Sequence, residues 1–292
     1  MAIKSVAMDE LIFSQPDNFK HQKQRLFRGG ISHLKVLADF DGTLTTNFIH
    51  GRKAPTLIGA LREGNYLSAD YNKKAQDLHN YYKPFEDDQN IALDDKKALM
   101  TEWWYKHFQL LIDSGLSEEN IADVVDNRLS NLRPGVPEFL SLLAKNNIPL
   151  FIFSASGLGI SGLKYYLMKR GLWSENIILV ANDFIWGENG KAVGVKEPII
   201  HSFNKDETML VKIGVDEKFS KRNNIMLLGD SLGDARMDTG LAAAAILRIA
   251  FVNDKIRESV SAYREVYDAL ILNDGDFSLP LKILKEIIDY AD

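Results

Sequence analysis

The chain contains no cysteine, which excludes disulfides, thiolate metal sites and a cysteine nucleophile and leaves oxygen atoms as the expected metal ligands. It has no apolar run long enough to cross a bilayer, no internal repeat and no low-complexity tract. Excess positive charge is also missing: 35 Lys and Arg face 40 Asp and Glu, a formal net charge of −5. The molecule as a whole therefore lacks the electrostatic footprint of a nucleic-acid binder. Met1 to Gln15 shows no basic stretch followed by an apolar one, and these absences together predict a soluble, cytoplasmic protein. What is present is a globular composition, 292 residues with 46% hydrophobic content, enough for one large domain or two smaller ones.

Residues 36 to 45 read Val-Leu-Ala-Asp39-Phe40-Asp41-Gly42-Thr43-Leu44-Thr45. Two carboxylates stand one residue apart directly after an apolar run of the kind that forms a buried parallel strand. Such a pair could merely cap a turn into a helix, yet burying ionised groups is costly unless a cation or a reaction uses them. The rest of the chain weakens the capping reading. Asn224-Ile-Met-Leu-Leu-Gly229-Asp230-Ser231-Leu232-Gly233-Asp234 repeats the design, and Pro149-Leu-Phe-Ile-Phe153-Ser154-Ala155 is a third buried strand ending on a hydroxyl. In an open α/β sheet, ligands bind beyond the carboxyl ends of the strands. Four converging acids, Asp39, Asp41, Asp230 and Asp234, would repel one another unless a divalent cation joined them.

Organisation along the chain agrees with this placement. A basic helix is predicted over 17 to 29, closed by Gly29-Gly30, and a strand over 34 to 38. From about 48 to 132 strand-like runs vanish, and aromatic, charged and Leu-rich stretches at helical spacing predict an inserted helical domain. Asn131-Leu-Arg133-Pro134-Gly135 punctuates the return. Helices are then expected at 136 to 146, 159 to 170 and 205 to 216, with strands at 149 to 153, 177 to 181, 224 to 228, 245 to 252 and 267 to 272. Asp183 to Val195 suggests a β-hairpin, and the chain ends on a helix. The predicted fold is α/β, a Rossmann-like doubly wound parallel sheet formed by residues 1–48 and 133–292, with an inserted helical cap at 49–132 and a small β-hairpin.

Asp39 is the candidate nucleophile, since a carboxylate can accept a phosphoryl group and divide hydrolysis into two displacements. Asp41 is placed to protonate the leaving oxygen and then to deprotonate water. Mg²⁺ held by Asp39 and Asp230 would neutralise the approach of one anion to another. The phosphate oxygens need donors, which the Ser154 hydroxyl, nearby backbone N–H groups and a lysine would supply. Lys196 and Lys205 compete for that role, with Lys205 favoured by its place at an expected helix start.

Asp-x-Asp-x-Thr at 39 to 43, the strand ending in Ser154, a lysine, and Gly-Asp-x-x-x-Asp at 229 to 234 resemble the four motifs of the haloacid dehalogenase superfamily. Asp41 argues for phosphoryl chemistry over dehalogenation within it. Further segments resemble the pyrimidine 5′-nucleotidase family, the cytosolic 5′-nucleotidases of type three: Gly51-Arg-Lys-Ala-Pro-Thr56, Tyr81-Tyr-Lys-Pro-Phe-Glu86, Met100-Thr-Glu-Trp103, Ile200-His-Ser-Phe-Asn-Lys205 and Leu228 to Met237. The resemblance implies a Mg²⁺-dependent phosphomonoesterase acting on a nucleoside 5′-monophosphate, a pyrimidine base being the first choice. It makes Asp39 the nucleophile, Asp41 the acid/base, Ser154, Ala155 and Lys205 the phosphate anchors, Asp230 a metal ligand and Asp234 a supporting acid. The family's base-reading glutamate falls on Glu86, where an acceptor could bond an exocyclic amino group.

The sequence departs from that family where Gly42 replaces a larger apolar residue, in Ser154-Ala-Ser-Gly-Leu-Gly159, and in Trp103-Trp-Tyr-Lys-His107. Trp104, with Trp103 and Phe108, could form a stacking wall for a base, although aromatics at this spacing more often pack between helices. His79, His107 and His201 share no metal-ligand spacing and are expected to be buried and satisfied or simply exposed. Without the resemblance, Glu86 would read as part of a solvated acidic loop. The rival functions are a phosphatase for a sugar phosphate or phosphoserine, a receiver-like module, and a non-catalytic nucleotide binder.

Overall fold

The computed structural model describes residues 11–88, 90–127, 131–205 and 222–291. The chain divides into two compact units, one comprising Met1–Phe48, Leu132–Leu150 and Asp216–Asp292, the other Ile49–Asn131 and Phe151–Val215. Most of the helix expected over 205 to 216 lies outside the described residues.

In the first unit, β-branched and Leu-rich segments form a sheet with the strand order Leu11–Phe13, Ala269–Leu272, Ala245–Val252, Asn224–Gly229, Leu34–Asp39. All neighbours are parallel except the first pair, where Leu11 to Phe13 runs antiparallel to Ala269 to Ile271. Leu34 faces Asn224 and Ala38 faces Leu228, so the two strands end side by side. Val36, Leu37, Ala38, Ile225, Met226, Leu227 and Leu228 are all buried, as strands covered on both faces must be. Helix Pro16–Gly29 packs on Asn224–Gly229, on Ala245–Val252 and on helix Ser278–Ala291, which in turn packs on helix Val136–Lys145. This is the mostly parallel, Rossmann-like α/β class that the alternation of helix and strand predicts.

The second unit contains helices Leu57–Glu63, Tyr71–Asp87, Leu93–Asp113 and Glu118–Asn127. Thr56 opens the first of them, its hydroxyl accepting the Gly59 N–H. Helix Tyr71–Asp87 packs along Leu93–Asp113, which also meets the strand Ala192–Val195. That strand pairs with Phe184–Trp186 as the expected hairpin. Strand Leu150–Ser154, at whose start the division falls, neighbours Ile177–Ala181, and helix Gly159–Lys169 packs on the latter. Among the described residues no helix is long and apolar enough to cross a membrane.

Candidate active site

Parallel pairing carries the strands Leu34–Asp39 and Asn224–Gly229 to one edge, and the acids stand there. Asp39, Asp230 and Asp234 each offer a carboxylate oxygen within 4.8 Å of the others. Asp39 and Asp234 are buried and Asp230 is half-buried. Three anionic oxygens this close suit a small hard cation such as Mg²⁺ and would not suit a soft metal. Asp41 is not a member of this cluster. The chain turns at Phe40, whose carbonyl accepts the Thr45 N–H at 3.1 Å.

Local chemistry fixes each acid. Asp234 opens a single 3₁₀ turn, and its Oδ2 accepts the N–H groups of Asp230 (3.2 Å) and Ser231 (3.0 Å) and the Ser231 hydroxyl (2.7 Å). Gly229 lets this turn close, since a Cβ there would lie 2.4 Å from that of Asp234. Gly42 has φ +77°, and a Cβ on it would stand 2.2 Å from Asp230 Oδ2. Gly42 thus admits the Asp230 carboxylate. Tyr263 donates to the Asp230 carbonyl at 2.6 Å and Tyr267 to that of Ser231. Burial and the neighbouring carboxylates push both phenols up, so they remain donors. Neither tyrosine carries a motif, and only its helical spacing from the strand end could have drawn notice.

In the second unit, Ser154 ends its strand almost fully buried, its Oγ accepting the Ser156 N–H at 3.1 Å. Ala155 begins the turn that leads to helix Gly159–Lys169. Lys205 is buried, whereas Lys196 is exposed and paired with Asp183 at 2.7 Å. That contrast favours Lys205 as the lysine with a defined setting. Glu86 belongs to the last turn of helix Tyr71–Asp87, not to a solvated loop. Its Oε1 accepts the Ser202 hydroxyl at 2.9 Å and its Oε2 the Lys83 ammonium at 2.8 Å. Glu86 therefore touches the segment that carries Lys205. Trp104 stacks on Trp103 and Phe108 at centroid distances of 6.2 and 5.4 Å, and Trp103 stacks on Tyr82 at 5.7 Å.

His107 and His201 are buried, and the His107 Nε2 has no hydrogen-bond partner among the described residues, so that ring is buried but not satisfied as expected. His201 Nδ1 accepts the Phe203 N–H at 3.2 Å, which makes Nε2 the protonated nitrogen, 3.1 Å from the Thr101 hydroxyl. Burial first, and Lys97 second, lower its pKa to about 4, and burial with Arg62 and His79 does the same for His107. In the unfolded chain both return to the usual value near 6.5. The contribution of these two histidines to stability is thus complete above about pH 6.5 and declines toward pH 4, because only the unfolded state takes up these protons. The melting temperature should fall over that interval, each histidine contributing at most about 3 kcal/mol. His107→Phe and His201→Gln should flatten the profile; an unaltered slope would contradict the assignment.

Acids gathered beyond adjacent parallel strands of a Rossmann-like sheet fit a phosphatase of the haloacid dehalogenase superfamily, the class to which the comparisons with known proteins assign the chain. Phosphoserine phosphatase in its apo form shares the fold, with a TM-score of 0.52 and 19% identity over 86% of this chain and 98% of its own. The crystal structure of cytosolic 5′-nucleotidase IIIB bound to cytidine matches far better, with a TM-score of 0.88 and 25% identity over 98% and 95% of the two chains. The chain belongs to the pyrimidine 5′-nucleotidase (UMPH-1) family, which it matches over residues 42–288. It is 32% identical to 7-methylguanosine phosphate-specific 5′-nucleotidase A of Xenopus laevis across 98% of both chains. With the 7-methylguanosine phosphate-specific 5′-nucleotidase of Gallus gallus it shares 34% identity across 94% of each. It is accordingly a phosphoric monoester hydrolase of the 5′-nucleotidase kind.

Proposed function

We propose that the protein hydrolyses nucleoside 5′-monophosphates through a phosphorylated Asp39, with Mg²⁺ held by Asp39, Asp230 and Asp234. The observation that carries this reading is the buried three-acid cluster in a chain of 5′-nucleotidase ancestry. When bound, the cation would offset the charge of nucleophile and phosphate as they meet. An Asp39 oxygen forms the new bond to phosphorus while the bond to the nucleoside 5′ oxygen breaks, and Asp41 gives that oxygen its proton. Asp41 then takes a proton from water, which displaces Asp39 and releases inorganic phosphate. Ser154, Ala155 and Lys205 are assigned to the phosphate, Glu86 and Trp104 to the base, and residues 49–132 to a cap domain.

The family's description and the cytidine-bound neighbour support a pyrimidine base. A second reading, 7-methylguanosine 5′-monophosphate, is supported by the names of the vertebrate relatives. Phosphate release with Mg²⁺ from CMP, UMP, 7-methylguanosine 5′-monophosphate, phosphoserine and a sugar phosphate separates them. The expected result is turnover confined to the nucleotides with a marked preference among bases. Equal rates on all five would refute the nucleotidase reading. Asp41→Asn should lower turnover about 10²–10⁴-fold while Mg²⁺ binding persists, and a fully active variant would dismiss Asp41 as the acid/base.

A further inference from the structure

A second set of residues sits against the acid cluster without contributing a carboxylate to it. Asn253 follows the strand Ala245–Val252, whose parallel neighbour Asn224–Gly229 leads into Asp230. Its amide nitrogen donates to the Gly42 carbonyl at 2.8 Å and to Asp230 Oδ2 at 3.3 Å. Its amide oxygen accepts Arg133 Nη2 at 2.6 Å. A guanidinium can only donate, so Arg133 dictates which end of the Asn253 amide faces it. The NH₂ group is thereby turned toward Gly42 and Asp230.

Arg133 is itself fully committed. It has no exposed surface and lies over the Phe251 ring at 4.3 Å. Nε donates to the Thr43 carbonyl at 2.8 Å, Nη1 to the Gly275 carbonyl at 2.6 Å and to Asp274 at 3.0 Å, and Nη2 to Gly42 and Asn253. Five N–H groups thus meet five acceptors, which no lysine could reproduce. Asp274, which also accepts the N–H groups of Asn47 and Phe48 at 2.8 and 2.9 Å, balances the guanidinium charge.

We propose that Asn253, oriented by Arg133, is a positioning residue that fixes the Asp230 carboxylate for the metal and ties it to the backbone of the Asp39–Thr43 turn. This rests on the reading of Asp39, Asp230 and Asp234 as the metal-holding acids. Partners of metal ligands typically govern affinity by about ten- to a hundredfold. Isothermal titration of the full-length, metal-free protein with MgCl₂ tests the role directly. Asn253→Ala should weaken Mg²⁺ binding about 10–100-fold and shrink the rise in melting temperature that Mg²⁺ produces, with the circular dichroism of the metal-free protein unchanged. Asn253→Ser, too short to span the same three partners, should behave alike and serves if the alanine variant does not fold. Wild-type affinity in a folded variant overturns the positioning role. Asp230→Asn is the companion control: if it binds as wild type does, or if wild type binds no Mg²⁺, the metal reading itself fails and the positioning role with it.

Discussion

Asp39→Asn is expected to abolish phosphate release, with a loss of at least about 10⁴-fold at saturating Mg²⁺ and nucleotide. Removing a covalent nucleophile that acts as one unit with its acid/base typically costs that much or more. Asn is nearly isosteric, so folding should survive. The metal-free variant should be as stable as wild type or more so, because one of three carboxylates within 4.8 Å of one another has lost its charge. The increase in melting temperature on adding Mg²⁺ should shrink for the same reason. Phosphate release by a coupled assay and melting curves with and without Mg²⁺ provide both readings. Turnover within tenfold of wild type would dismiss Asp39 as nucleophile, whatever the melting curves show.

The second large effect is on stability. Arg133→Met should destabilise the fold by about 3–5 kcal/mol, the usual consequence of removing one partner of a buried ion pair. Methionine fills the space but leaves the carbonyls of Gly42, Thr43 and Gly275 and the Asn253 amide oxygen without this donor. It also leaves Asp274 without its cation. Burial lowers the Arg133 pKa, and Asp274 and Asp230 counter that effect, as expected for a cation kept by its surroundings. Urea unfolding at neutral pH measures the difference. A change below about 1 kcal/mol, within reach of an ordinary surface substitution, would show that the five contacts contribute little.

Much of the architecture was legible because buried parallel strands write themselves as apolar runs. Ile177–Ala181 and Ala245–Val252 fall where the residues predict them, and helices Pro16–Gly29, Val136–Lys145 and Gly159–Lys169 differ from expectation by a residue or so. Leu11–Phe13 went unmarked, since three residues are too few to show a period and only pairing with Ala269–Leu272 makes them a strand. Asp39, Asp230 and Asp234 were readable from acids placed just past apolar runs. Arg133 was not: beside Pro134 and Gly135 it reads as part of a turn, and its five acceptors come from segments up to 142 residues away. Asn253 has the same opacity, although its place directly after a parallel strand is a usable signal. The helical setting of Glu86 was not readable from its acidic run alone, because the Lys83 and Ser202 contacts that hold it come from the folded chain.

Thr45 and Leu132 form an isolated antiparallel bridge, and Arg133 donates its N–H to the Leu44 carbonyl at 2.9 Å. The long excursion between them consequently leaves and rejoins the sheet-bearing unit through a single stapled doorway. With its ends already held together, the segment can lengthen, shorten or change its lining at little entropic expense to the remainder, since closure grows only logarithmically with length.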